Sequence, residues 1–415
     1  MQGHVDRFRR AGGGGAWADM ELEARAALHY LRREANAQAL AEAVDVLCKL
    51  QVNCFSRLDE DVEQTGLFMN PALAMVNHSC TPNAFVQFAG REAVLHAYRA
   101  IEKGEEIEIS YIDCNLHLSN RQEALQTRYH FTCSCPRCKD DLDPYQVCQK
   151  YPHLDLNNLS VAPEVSKVRD SQAPGLFSGG QSLSATIEEI YPWCAASLQD
   201  LSEPDQRKQL RRRWKACGPL RDPGVRAYAV EPLPLVLAEA GMYLGGRGDF
   251  AAALCVAAFR AVHADPYANP APFAPARVKG LLLVAKLLAN TAPAPAPTTP
   301  GRDVSSSPGG RPRADVSVAL AAMDQVTMCQ ALLELVAYHA PAAQSKGWRV
   351  AREASDLLDD IEALPGRDTE GALVKAFIRN PDGAEERRFF EQAVLGPLRD
   401  LAGFCLNIMD EEFGP

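Results

Sequence analysis

Three cysteines within six residues, in the run CSCPRC (Cys133, Cys135 and Cys138), constrain this 415-residue chain more than any other feature. Thiolates this close can all reach one ion, and soft sulfur ligands in a tetrahedral set favour zinc. The other ten of the thirteen cysteines are scattered, and no charged segment followed by an apolar core opens the sequence. A reducing compartment is the expectation, nucleus or cytoplasm or both, so the cluster points to metal rather than disulfides. Structural zinc needs a fourth ligand. Spacing alone leaves Cys80, Cys114, His130 and Cys148 open. By itself such a cluster says nothing about catalysis.

Charge narrows the partners. The chain holds 43 Lys and Arg against 53 Asp and Glu, a formal net charge of −10. Phosphate affinity needs a basic surface, so a general nucleic-acid binder is disfavoured. A basic partner such as a lysine-rich protein tail suits the charge, although solubility accounts for it equally well. No apolar run approaches the length of a membrane span, and no membrane partner is expected.

The pattern of residues divides the chain. MELEARAALHYLRREANAQALAEAVDVLCKL (20–50) repeats apolar residues at helical spacing, while GGGG (12–15) reads as a flexible loop. AFVQF (84–88) and AVLHAYR (93–99) read as a β-hairpin. After a turn at Lys103-Gly104, EIEISYI (106–112) alternates, with Ile107, Ile109 and Tyr111 on one face. SNRQEALQTRY (119–129) reads as a helix with Ser119 and Gln122 spaced as a capping box. Residues 141–230 read as a proline-rich connecting region with some helix. It contains RKQLRRRWK (207–215), a solvated helix face or a nuclear-import signal. From 231 onward the pattern is helical, with a break at Gly245-Gly246 and a stop at Pro266 that fit a tetratricopeptide-type hairpin. A low-complexity stretch at 291–313 reads as disordered, and further helices are expected in 316–340, 344–363 and 384–411.

Three motifs occur in a specific order: NHSCTPN (77–83), GEEIEISY (104–111) and YHFTCSCPRC (129–138). Together they resemble the second half of a SET domain and its post-SET zinc loop. From VNCFS through CPRC (52–138) the chain is similar to the SET and MYND domain-containing lysine methyltransferases. The fold class implied is α+β: a partial SET β-fold with a helical insert (1–51), the SET C-terminal half (52–114) and a zinc loop (115–140). An all-α tetratricopeptide-like domain would follow the connecting region. The resemblance implies S-adenosylmethionine contacts at Asn53, Asn77 and His78, and a catalytic role for Tyr111. Tyr129 and Phe131 would line the lysine channel or stack near the cofactor. Cys80 would complete a structural zinc site with Cys133, Cys135 and Cys138, stapling the cofactor loop to the post-SET segment. Taken singly, an inward tyrosine and an Asn-His pair are ordinary core and turn residues. Their shared order carries the functional reading.

Two pieces of the family pattern have no match. The first cysteine is Cys48, so the residues of a MYND module are missing, and nothing before Asn53 matches the glycine-rich GxG strand. The first thirty residues instead resemble the helical insert of the SET domain, as though the chain began partway through it. Two functions follow as expectations. One is a lysine methyltransferase acting on a protein substrate, histone or otherwise. The other is a catalytically inactive, zinc-stapled scaffold that binds proteins through its helical half.

Overall fold

The computed structural model describes residues 4–11, 13–58, 64–90, 92–150, 176–177, 181–291, 311–344 and 347–414. They form two compact units, Met1–Asp140 and Asp141–Pro415.

The first unit opens with helices α1 (Val5–Ala11), α2 (Gly13–Tyr30) and α3 (Ala37–Asn53). Their apolar spacing has the expected result: Met20 and Ala24 of α2 bury against Val44 and Cys48 of α3, with Phe8 and Trp17 at the rim. The periodic stretch 20–50 is two helices rather than one. Arg32 takes a left-handed φ of 54° between them, and Asn36 restarts the chain by accepting the Ala39 N–H at 2.9 Å. Gly13–Gly15 form the first turn of α2 instead of a loop, and Gly12 lies outside the described residues.

Three two-stranded sheets follow. Strands β1 (Phe55–Leu58) and β2 (Gln64–Phe68) pair antiparallel with a bulge at Arg57/Leu58. β3 (Asn77–His78) pairs in parallel with β6 (Glu108–Ile109). Between them β4 (Ala84–Ala89) and β5 (Glu92–Ala97) form the expected hairpin, Ala84 opposite Ala97. Gly90 takes φ +59° at its tip, a conformation open to glycine. The strand expected over 106–112 shrinks to two residues, because its partner offers only Asn77 and His78 for pairing. Ile109 is buried, whereas Ile107 is 40% exposed, so the two do not share a buried face.

Helices α4 (Leu118–Tyr129) and α5 (Pro136–Lys139) close this unit. The capping box does not form. His117 is the N-cap residue of α4, its Nδ1 meets Ser119 Oγ at 2.9 Å, and Gln122 bonds elsewhere.

The second unit is helical throughout its described residues. It begins with α6 (Pro144–Lys150), α7 (Gln181–Cys194) and α8 (Glu203–Ala216). The stretch expected as a connector is therefore core: Ile187, Leu210, Trp214 and Leu220 bury together with Leu233 and Leu237. The basic run forms most of α8. Arg213 is buried on Glu239 at 2.5 Å and Trp214 Nε1 donates to Asp410 at 2.7 Å, while Lys208, Arg211 and Arg212 stay exposed.

α9 (Leu233–Gly246) and α10 (Phe250–Phe259) pack as a helical hairpin, whose turn is Arg247–Asp249 rather than Gly245-Gly246. Gly248 takes φ +78°, and Asp249 caps α10 by accepting the Ala252 N–H. Pro266 does not stop that helix, because a π-helical turn, Arg260–Ala264, runs on into α11 (Asp265–Ala268). α12 (Pro275–Thr291), α13 (Arg311–Ala322), α14 (Gln325–Ala343), α15 (Arg349–Glu362), α16 (Asp368–Arg379), α17 (Ala384–Phe390), α18 (Gly396–Gly403) and α19 (Cys405–Phe413) complete the unit. The low-complexity expectation at 291–313 falls mainly on 292–310, outside the described residues. Among the described residues no single helix is long and apolar enough to cross a membrane.

Candidate functional site

The parallel pair β3–β6 brings NHSC beside EIS. Asn77 lies opposite Glu108, His78 opposite Ile109, and the Ser79 N–H continues the ladder to the Ile109 carbonyl at 3.0 Å. Asn83 fixes the crossing: its Nδ2 donates to the Glu106 carbonyl at 2.8 Å and its Oδ1 accepts the Glu108 N–H at 2.9 Å. The chain then turns out of the short strand and delivers Tyr111.

Tyr111 is held at three points. Its hydroxyl donates to the Val76 carbonyl at 2.5 Å, its N–H donates to His78 Nδ1 at 3.1 Å, and its carbonyl accepts the Tyr129 hydroxyl at 3.3 Å. The Tyr129 ring lies 4.8 Å from the Tyr111 ring, and Phe131 meets Tyr111 edge-on at 6.4 Å. Burial, with the neighbouring Tyr129, raises the Tyr111 pKa, so the hydroxyl keeps its proton at neutral pH.

His78 has one tautomer that satisfies both of its contacts. Nδ1 accepts from Tyr111, so Nε2 carries the hydrogen and points it at Cys80 Sγ, 3.3 Å away. Burial pushes the imidazole pKa down to about 4, which keeps the ring neutral.

The thiols of Cys80, Cys133, Cys135 and Cys138 all lie within 4.8 Å of one another, with Cys80 and Cys138 at 3.5 Å. A tetrahedron with Zn–S bonds of about 2.3 Å has sulfurs about 3.8 Å apart, so this set fits the ion. The other spacing candidates fall outside this set, although Cys114 also touches Cys80. Cys114 Sγ lies 2.9 Å from Ser110 Oγ, His130 packs edge-on against Phe8, and Cys148 of the second unit donates to the Tyr267 carbonyl. Gln122 of α4 grips the loop at both ends of its amide, donating to the Cys133 carbonyl at 2.8 Å and accepting the Cys133 N–H at 2.9 Å.

A cavity of 270 Å³ opens beside Tyr111. Its walls include Asn53, Phe55, Val76, Tyr111 and Tyr129, with Arg128 at one side. Arg128 donates to the Gln51 and Cys54 carbonyls at 3.3 Å each, closing the end of α3 onto α4. Asn53 Nδ2 donates to the Lys49 carbonyl and Asn77 Nδ2 to Glu106 Oε1.

Residues 19–112 match the SET domain family model. The curated proteins to which this part of the chain is similar are of the SMYD kind. The SET domain and MYND-type zinc finger protein 6 of Schizosaccharomyces pombe is 37% identical over 194 residues, 46% of this chain and 37% of that protein. Human N-lysine methyltransferase SMYD2 is 36% identical over 123 residues, 29% of this chain and 27% of its own length. Human histone-lysine N-methyltransferase SMYD3 is 34% identical over 115 residues, 27% of each chain. The chain thus matches well under half the length of these relatives.

Within the SET segment and the loop that follows it, the expected residues fall into three groups. Asn53, Tyr111 and Tyr129 share the cavity wall. His78 and Phe131 stand next to it, 5.9 Å apart ring to ring, and the four cysteines cluster behind His78. Asn77 is set apart at an exposed edge on Glu106. Sequence reasoning missed Phe55, Arg128, Gln122 and two buried arginines, Arg121 and Arg137. A basic residue inside CPRC was the available signal for the last of these.

Proposed function

We propose that the chain is an S-adenosylmethionine-dependent protein-lysine N-methyltransferase of the SET type, acting on a lysine-bearing protein, histone or otherwise. The observation that carries this reading is the Tyr111 hydroxyl: protonated, pinned on the Val76 carbonyl and set in the wall of an aromatic cavity. Its one hydrogen is spent on Val76, so its lone pairs remain for an incoming amine. A lysine must react as the neutral amine. Tyr111, Tyr129 and Phe55 desolvate that amine, and the Arg128 charge at the cavity side disfavours its ammonium form. The reaction is an in-line displacement, so holding the nitrogen in place is the main contribution of the site.

The cofactor supplies a sulfonium-bound methyl group. Asn53 and Asn77 each use the amide N–H₂ within the protein, and among the described residues their Oδ1 atoms have no partner. These acceptors suit a ligand carrying ammonium and hydroxyl donors, and the faces of Tyr129 and Phe131 suit its purine. Zinc at the four cysteines would be structural, tying the His78 loop to the segment carrying Phe131. The helical unit would serve as a tetratricopeptide-like surface for partner proteins, in the nucleus, the cytoplasm or both.

Titration calorimetry of the zinc-loaded chain with S-adenosylmethionine tests the reading. Saturable binding is expected. A folded, zinc-loaded chain that binds none would instead be the scaffold, with its helical unit as the working part. Given turnover, Tyr111→Phe should lower it by about a hundredfold or more with zinc content unchanged. Unaltered turnover would remove Tyr111 from the mechanism.

A further inference from the structure

Two arginines sit against the cysteine cluster in surroundings that should exclude them. Arg121 is 2% exposed and Arg137 is 4% exposed. Arg121 Nη1 donates to the Leu116 carbonyl at 2.6 Å and its Nη2 reaches Cys138 Sγ at 3.8 Å. Arg137 Nη1 approaches the Cys80 carbonyl at 3.5 Å. The Nε of each is buried without a partner, and among the described residues neither guanidinium meets a carboxylate. A guanidinium does not shed its proton, so two full positive charges are buried here with only carbonyls and sulfur as company.

The missing negative charge has one source nearby. Zinc with four thiolates carries a net charge of about −2, since each coordinating thiol loses its proton. Two guanidiniums carry +2. We propose that Arg121 and Arg137 are the built-in counter-charge of the four-cysteine zinc centre and that they set its metal affinity. This rests on the zinc reading given above. Each arginine comes from an element that also positions the cluster: Arg121 from α4, whose next residue grips Cys133, and Arg137 from between Cys135 and Cys138 on α5.

The experiment loads the full chain with cobalt and with zinc. The cobalt absorption spectrum reports whether four thiolates hold the ion tetrahedrally, and competition with a chromophoric chelator gives zinc affinity. R121Q and R137Q are each expected to weaken zinc binding by about ten- to a hundredfold, with the saturated cobalt spectrum unchanged. R121K and R137K, which keep the charge but lose the fork, should recover most of that loss. Unchanged affinity in the glutamine variants overturns the proposal. So does an equal loss in the lysine and glutamine variants, or an altered cobalt spectrum, since either would mark a packing role. A wild-type chain that takes up neither metal overturns the zinc reading itself, a result distinct from the other three.

Discussion

Gln122 shows how one side chain can decide the order of a loop. Its amide makes both backbone bonds of Cys133, so it works as a short piece of sheet between α4 and the cysteine run. Two bonds at about 1 kcal/mol each set the expected cost of Gln122→Ala near 2 kcal/mol, read as a lowered urea midpoint with unchanged slope. Gln122→Glu should lose part of this, because it keeps the acceptor and drops the donor. The spacing of Ser119 and Gln122 could not reveal this role, since a capping box and a long-range tether place Gln at the same offset. Tyr111 was legible because GEEIEISY is local. The choice of Cys80 over Cys114 was not, because only the folded chain shows which thiol faces CSCPRC; there the family resemblance decided what spacing left open.

At the level of elements, α14 has the clearest start signal in the helical unit. Asp324 accepts the Thr327 N–H at 3.0 Å and its hydroxyl at 2.5 Å, and Arg367 bonds the same threonine at 2.6 Å. Burial works to raise the Asp324 pKa, but the Thr327 donors and Arg367 outweigh it and hold the carboxyl below its ordinary value. Its stabilising effect is therefore complete above the unfolded value of about 3.9, and is lost as pH falls through the lower folded one. Asp324→Ala should cost about 1 kcal/mol at pH 7, and thermal melts should show the gap narrowing at pH 3. Elements held by neighbours in sequence were readable in advance: the 84–97 hairpin lies close to its expected bounds, and the α9–α10 pair forms with its turn moved to Arg247–Asp249. Elements defined by distant partners were not. β6 is short because β3 is short, and neither length is written in EIEISYI. The connector reading of 141–230 failed for a related reason. Pro192 sits inside α7 and Pro204 at the start of α8, and burial of Ile187 and Trp214 outweighs both.

Across the whole molecule, each of the two units carries its own core. Removing zinc from the proposed four-cysteine site should therefore be felt unequally. Amide hydrogen exchange after chelation is expected to speed up in 77–80 and 130–139 while 233–259 stays protected. Equal acceleration in both stretches would mean that the cysteine loop does not act as a local staple. Residues 79–107 leave β3 and return to β6, its own neighbour, with Asn83 locking the return. The β4–β5 hairpin is thus a closed excursion from the site, like a bay whose two headlands are already joined. Insertions and deletions at its tip leave the separation of His78 and Tyr111 untouched. Divergence in length can accumulate there over many generations, while Ser110, the one residue between Ile109 and Tyr111, has no such freedom.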